Sequence, residues 1–167
     1  MMEGQNMILN SNEINNKLRR IAYQIYEANT TETEIILAGI DVNGYILAKK
    51  LKTILSKISD IKPILCKISI DKKNPRLPIK TSIKAENYTN KSVVLIDDVL
   101  NSGTTLIYSV KHFLEVPLKQ FKTAVLVNRN HKKFPVKADY KGISLSTSLK
   151  EHVHVNLEGK DWKAYLT

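Results

Sequence analysis

The stretch Val93-Val94-Leu95-Ile96-Asp97-Asp98-Val99-Leu100-Asn101-Ser102-Gly103-Thr104-Thr105-Leu106 constrains this chain more than any other. A block of β-formers runs into two adjacent carboxylates, then into small hydroxyl residues around one glycine, and then into a helical pattern. A strand handed over to a helix through so short a turn is half of a parallel crossover unit.

The rest of the chain repeats that alternation. Asn10 with Glu13 predicts a capping box at the head of a helix over 11–28, where Ile14, Leu18, Ile21, Ala22 and Ile25 recur at helical spacing. "EIILAGI" (34–40) predicts a buried strand, and Ile46, Leu47, Leu51, Ile54, Leu55 and Ile58 a second amphipathic helix. "PILCKISI", "SVVLIDDV" (92–99) and "FKTAVLVN" (121–128) predict further strands, 104–115 predicts a third helix, and "EHVHVNL" (151–157) alternates. The expected fold is α/β, a mainly parallel central sheet flanked by helices, forming one domain over residues 1–167. In such sheets a ligand sits beyond the carboxyl ends of the strands. Three polar loops leave such ends: "DVNG", "DDVLNSGTT" and "NRNHKKFPVKADYKG".

Charge narrows the class of ligand. The formal net charge of +10 is grouped: Lys17, Arg19 and Arg20; Lys49, Lys50 and Lys52; Lys72, Lys73, Arg76, Lys80 and Lys84; Lys132, Lys133 and Lys137. Such groups concentrate anions, whether phosphorylated metabolites or nucleic acid, and charge alone does not choose between them. The lone Cys66 lies in an apolar run, so we expect a core residue and a reducing compartment, which we read as the cytoplasm. No run approaches the roughly 18 apolar residues of a membrane span, and "MMEGQNMILN" has no export pattern.

The turn at Ser102 to Thr105 leaves the first N–H groups of a helix without intrahelical partners, an anion pocket that Gly103 opens to close approach. Ser102, Thr104 and Thr105 add hydroxyls. Asp97 and Asp98 would repel a bare phosphate, but they suit a ligand with sugar hydroxyls or a metal ion a few ångströms away. A sugar phosphate satisfies both halves. A P-loop nucleotidase fails at its defining residues: the matching glycine spacing, Gly39 to Gly44, is followed by Tyr45 and Ile46 rather than lysine and a hydroxyl.

"VVLIDDVLNSGTTL" resembles the phosphoribosyl-pyrophosphate signature of type I phosphoribosyltransferases. With "MILNSNEINNKLRRIAYQIYEAN", "ILAGIDVNGYILAKKL" and "AVLVNRNHKKFPVKADYKGISLSTS", the whole chain resembles the pyrimidine-operon attenuator proteins that double as uracil phosphoribosyltransferases. The resemblance implies transfer of phosphoribosyl from its 1-pyrophosphate to a nucleobase, with uracil as first choice, magnesium as cofactor, and a homodimer or higher assembly. It assigns Asp97 and Asp98 to the ribose hydroxyls, and Val99, Leu100, Asn101, Ser102, Gly103, Thr104 and Thr105 to the 5-phosphate. It assigns Asp41, Val42, Asn43 and Gly44 to pyrophosphate, and Val127, Arg129, Lys137 and Ile143 to the base.

The departures keep alternatives open. Asp41 and Asn43 stand where the family has lysine and arginine, and Asn128 and Asn130 replace aspartate and glycine. Lys137 also resembles the lysine by which purine phosphoribosyltransferases meet the base, so a 6-oxopurine is the second choice. A regulator that keeps the fold as a sensor or RNA binder is the third. Arg19 and Tyr23 replace the family's RNA-contacting threonine and histidine, which disfavours an attenuator role while leaving generic RNA binding open. "DKKNPRLPIKTSIKAENYTNK" takes the place of the mobile hood; it supplies Lys72, Lys73, Arg76 and Lys80 to close over pyrophosphate, or else forms a basic surface hairpin. His131 either contacts substrate or caps a turn. His152 and His154 face one side of a strand, too sparse a pair for a metal site.

Overall fold

The computed structural model describes residues 4–167. The opening residues 1–3, part of the segment read for an export pattern, lie outside it. Among the described residues the strands form two sheets: six in the order β4 (Lys80–Thr81), β3 (Lys62–Ser69), β2 (Glu34–Ile40), β5 (Ser92–Leu100), β6 (Gln120–Arg129) and β7 (Tyr140–Leu145), and three in the order β1 (Asn6–Leu9), β9 (Lys163–Leu166) and β8 (Val153–Asn156).

The first helix, α1 (Ser11–Glu27), begins at the predicted capping box. The Asn10 side chain accepts from the Glu13 N–H at 2.9 Å, and Glu13 Oε2 accepts from the Asn10 N–H at 2.8 Å. β2 (Glu34–Ile40) is the expected buried strand, followed directly by α2 (Asp41–Ile58). Asp41 to Gly44, read from the sequence as a loop, are thus the first turn of that helix. Asp41 makes the corner with φ 51°, a left-handed conformation that aspartate tolerates better than most residues.

β3 (Lys62–Ser69) lies parallel to β2, and β4 (Lys80–Thr81) returns antiparallel along it. Beyond a single 3₁₀ turn (Ala85–Asn87) comes β5 (Ser92–Leu100), which carries both acids within the strand. α3 (Thr104–Phe113) follows, then β6 (Gln120–Arg129). β7 (Tyr140–Leu145) is a parallel edge strand that begins inside what the sequence presented as a polar loop. Its Gly142 is required by contact, since a Cβ there would lie 2.4 Å from the Leu126 carbonyl oxygen.

Strand alternation divides the core between the two faces. Ile35, Leu37, Val94 and Ile96 pack with α1 and α2, whereas Ile36, Ala38, Val93 and Leu95 pack with Leu106 and Phe113 of α3. Cys66 is buried on the α3 side, where burial pushes its thiol up from the ordinary value.

Residues 71–91, which the sequence left open as a hood over the site or a basic surface hairpin, contain β4 and the 3₁₀ turn. The structure puts a small antiparallel sheet elsewhere, from both ends of the chain: β1 (Asn6–Leu9), β8 (Val153–Asn156) and β9 (Lys163–Leu166). Residues 70–79 join the antiparallel β3–β4 pair as a basic hairpin loop. β8 is the alternating "EHVHVNL" segment; it belongs to this small sheet and not to the central one. Among the described residues no helix is long and apolar enough to cross a membrane.

Candidate functional site

The chain passes from β2 to β3 on one side of the sheet and then crosses to β5 on the other. The switch point therefore lies between the carboxyl ends of β2 and β5, where Asp41 and the Asp97–Asp98 pair emerge. Asp97 is 6% exposed and Asp98 half-buried. Asp97 Oδ1 accepts from the Asp98 N–H at 2.8 Å, and Asp98 Oδ1 accepts from the Val99 N–H at 2.8 Å. The second oxygen of Asp98 accepts from Asn43 Nδ2 at 2.8 Å. Burial, and then the neighbouring Asp98 charge, hold the Asp97 carboxyl well above its ordinary range, while Lys72 pulls it the other way.

Asp97, Asp98 and the whole run Val99 to Thr105 line one cavity of about 170 Å³, together with Lys72. Gly103 is the N-cap of α3, with φ 86°, and offers no side-chain acceptor to the helix start. Ser102 Oγ fills part of that role, accepting from the Thr104 N–H at 3.3 Å and lying 2.8 Å from Thr104 Oγ1. The helix start thus faces the cavity with N–H groups, hydroxyls and the positive end of its dipole. The loop after β6 braces this turn from outside: the Lys133 and Phe134 N–H groups donate to the Ser102 carbonyl at 2.7 and 3.2 Å.

Asp41, Val42 and Asn43 line an adjoining space of about 280 Å³ with Lys72, Asp97 and Asp98. Gly44 lies buried behind it, its Cα against the Ile96 carbonyl of β5. The polar side chains of this turn contact the protein. Asp41 accepts from the Ile70 N–H at 3.4 Å and lies 3.7 Å from Lys72 Nζ, and Asn43 reaches both Asp98 and the Val155 carbonyl of β8. Of the basic residues in the 70–79 loop only Lys72 lines these two spaces; Arg76, with Pro75 and Leu77, lines a separate groove shared with Tyr108, Lys111 and His112 of α3.

Val127 pairs in register with Val99 on one side and Ile143 on the other, a continuous apolar row beside the acids. Lys137 has an exposed side chain, its carbonyl held by Thr123 Oγ1 at 2.7 Å. Arg129 is buried and spends its guanidinium inside the protein. It donates to Thr147 Oγ1 at 2.7 and 2.9 Å, to the Glu151 carbonyl at 2.7 Å, and to Asn101 Oδ1 at 3.1 Å. His131 Nε2 lies 2.6 Å from the Thr147 carbonyl, which favours its turn-capping reading. His154 is held by Thr167 Oγ1 and stacks on Tyr165. Sequence reasoning missed the Asn43–Asp98 and Arg129–Asn101 bridges, and it grouped Lys72 with three other cations with nothing to single it out.

Residues 4–159 match the phosphoribosyl transferase domain family. The bifunctional protein PyrR of Fusobacterium nucleatum is 35% identical over 166 residues, covering 94% of this chain and 93% of its own. The PyrR protein of Caldicellulosiruptor bescii is 32% identical over 168 residues, covering 96% and 92%. Among solved structures, the hypoxanthine phosphoribosyltransferase of Trypanosoma cruzi matches with TM-score 0.79 over 95% of each chain at 15% identity. A hypoxanthine-guanine phosphoribosyltransferase (hpt-2) of Bacillus anthracis matches with TM-score 0.70 over 84% of this chain and 82% of its own, at 21% identity. These two show likeness of fold. With the acid pair, the small turn and the parallel sheet all in place, the chain belongs to the phosphoribosyltransferase family, with the type I fold and a PyrR-like sequence.

Proposed function

We propose that this protein transfers phosphoribosyl from 5-phosphoribosyl 1-pyrophosphate to the ring nitrogen of a nucleobase, uracil first, releasing pyrophosphate. The observation that carries the reading is one cavity lined both by Asp97 and Asp98 and by the Ser102–Thr105 turn. In it, Asp98 and Asp97 accept from the ribose hydroxyls, and the start of α3 holds the 5-phosphate. Two carboxylates beside the sugar also favour the positive charge that develops as the bond to pyrophosphate breaks. The Val127–Ile143 row flanks the base, and Lys137 is the residue to test for contact with an exocyclic oxygen. Arg129 acts on the base side through Thr147 and Asn101, by fixing the walls of the site.

Magnesium fits this site as an ion carried by the substrate. Among the described residues no group of three or more His, Cys, Asp or Glu is arranged to hold a metal. One or two carboxylates plus substrate phosphates is the usual magnesium environment, and Asp98 with Asp41 beside the pyrophosphate space supplies that donor set. When bound, the ion would neutralise pyrophosphate as it leaves. Lys72 is placed to add a cation from the protein side.

We assign the protein to the cytoplasm as a homodimer or higher assembly, which light scattering checks. The deciding assay mixes protein, phosphoribosyl pyrophosphate, magnesium and each common base, and looks for nucleotide. Uridine 5′-monophosphate is the expected product. Turnover of hypoxanthine or guanine in its place would move the specificity to 6-oxopurines. The inward-turned Asp41 and Asn43 favour a second reading, a regulator that binds without turnover. It wins if no base reacts while the sugar pyrophosphate binds and Asp97→Asn abolishes that binding. Failure to bind the sugar pyrophosphate at all would sink both.

A further inference from the structure

We infer that Asn43 is a positioning residue: its amide orients Asp98 toward the ribose and ties that acid to strand β8 of the terminal sheet. The inference rests on the assignment of Asp98 to the ribose hydroxyls. Asn43 stands in the first turn of α2, in the corner that the resemblance assigned to pyrophosphate. Its Nδ2 donates to Asp98 Oδ2 at 2.8 Å and to the Val155 carbonyl at 3.0 Å. Both partners are acceptors, so chemistry fixes which end of the amide faces them.

The consequence for Asp98 is geometric. Its Oδ1 is held by the Val99 N–H and its Oδ2 by Asn43, which locks the plane of the carboxylate. Each oxygen retains a lone pair for a sugar hydroxyl. Two vicinal hydroxyls need two acceptor directions at fixed spacing, and a carboxylate free to rotate would pay rotamer entropy to provide them. The same amide bridges 112 residues to Val155, so the terminal sheet and the ribose acid share one hydrogen-bond donor group. Lysine or arginine at this corner could reach outward to an anion; the short Asn43 side chain is already committed inward.

The test compares nucleotides that differ only in the hydroxyls. Binding of uridine and inosine 5′-monophosphates, and of their 2′,3′-dideoxy counterparts, is measured by calorimetry for the wild type and for Asn43→Ala. We expect the variant to lose about tenfold affinity for the ribonucleotide that the wild type binds, the scale of a hydrogen bond to a charged group. Affinity for the dideoxy form should stay within about twofold, because a ligand without hydroxyls does not use Asp98. Amide exchange at residues 153–156 should accelerate in the same variant as the Val155 tie is lost. Equal weakening of both ligands, or of neither, overturns the inference. A wild type that binds ribo and dideoxy forms equally overturns the assignment of Asp97 and Asp98 to ribose instead. Thermal melting controls for folding, and Asn43→Leu, similar in size but with neither donors nor charge, repeats the comparison should the alanine variant not fold.

Discussion

Gly39 and Gly44 meet backbone to backbone: a Cβ on Gly39 would lie 2.5 Å from the Gly44 carbonyl oxygen, and one on Gly44 would lie 2.6 Å from the Ile96 carbonyl oxygen. The spacing that superficially suggests a phosphate loop is thus a packing device, which lets α2 start directly on β2 and seat against β5. Gly44→Ala must push the helix off the sheet. We expect a loss of roughly 1–3 kcal/mol in urea unfolding, with weaker nucleotide binding because Asp41 and Asn43 move with the helix.

Asp97→Asn should stabilise the protein while disabling it. Burial raises the Asp97 carboxyl above its ordinary 3.8, so between that value and the raised one the folded chain binds more protons than the unfolded. Stability is therefore lost as pH rises through that window, and the cost persists at neutral pH. Asparagine removes the charge and can still accept from the Asp98 N–H. Melting at pH 7 should rise by about 2 °C or more, the gain should shrink below the ordinary carboxylate range, and ribonucleotide binding should fall.

Arg129→Met removes the donors that join β6 to Asn101 and to residues 147–151. The Glu151 and Ser148 carbonyls lose their guanidinium partner. We expect a loss of about 2–4 kcal/mol and faster amide exchange across 145–151. Unchanged exchange there would refute the bracing role.

Gly103→Ala meets two obstacles: a φ of 86° and a Cβ 2.6 Å from Val136 Cγ1. Alanine either stays in the left-handed region, at a cost of about 1–2 kcal/mol, or leaves it and turns the start of α3 with it. Affinity for the 5-phosphate should fall more than stability does, read as inorganic phosphate or nucleotide binding beside a melting curve.

Lys72→Ala separates ligand binding from folding. Its contact with Asp41 is long, at 3.7 Å, and the lysine side chain is 59% exposed, so stability should change by less than about 0.5 kcal/mol. Affinity for the sugar pyrophosphate should nevertheless drop, more steeply at low salt than at high.

The central sheet was legible because each of its long elements carries its own pattern. β2, β5 and β6 are apolar runs, and α1 announces itself with Asn10, Glu13 and an apolar stripe. Of the terminal sheet, β8 was legible in the alternating "EHVHVNL", but its two partners were not. β1 and β9 are four residues each, too short for a period to show, and they pair across the length of the chain, Asn6 with Leu166. β7 was hidden by Gly142, which marks close approach to Leu126 and which the sequence presents as a break.

The sequence by itself determined the half of the site that we assign to ribose and phosphate, since Asp97 to Thr105 are contiguous and a strand, a turn and a helix start are formed by neighbours along the chain. Tertiary structure decided how the other walls are built: Asn43 turned toward Asp98, Arg129 toward Asn101, Lys72 chosen from the 70–79 loop, and β1 and β9 paired in the sheet that carries Val155. Those choices depend on which backbone carbonyls and carboxylates come within hydrogen-bond reach once the sheet is assembled. Such reach extends only about 3 Å in space, with no limit on separation along the chain.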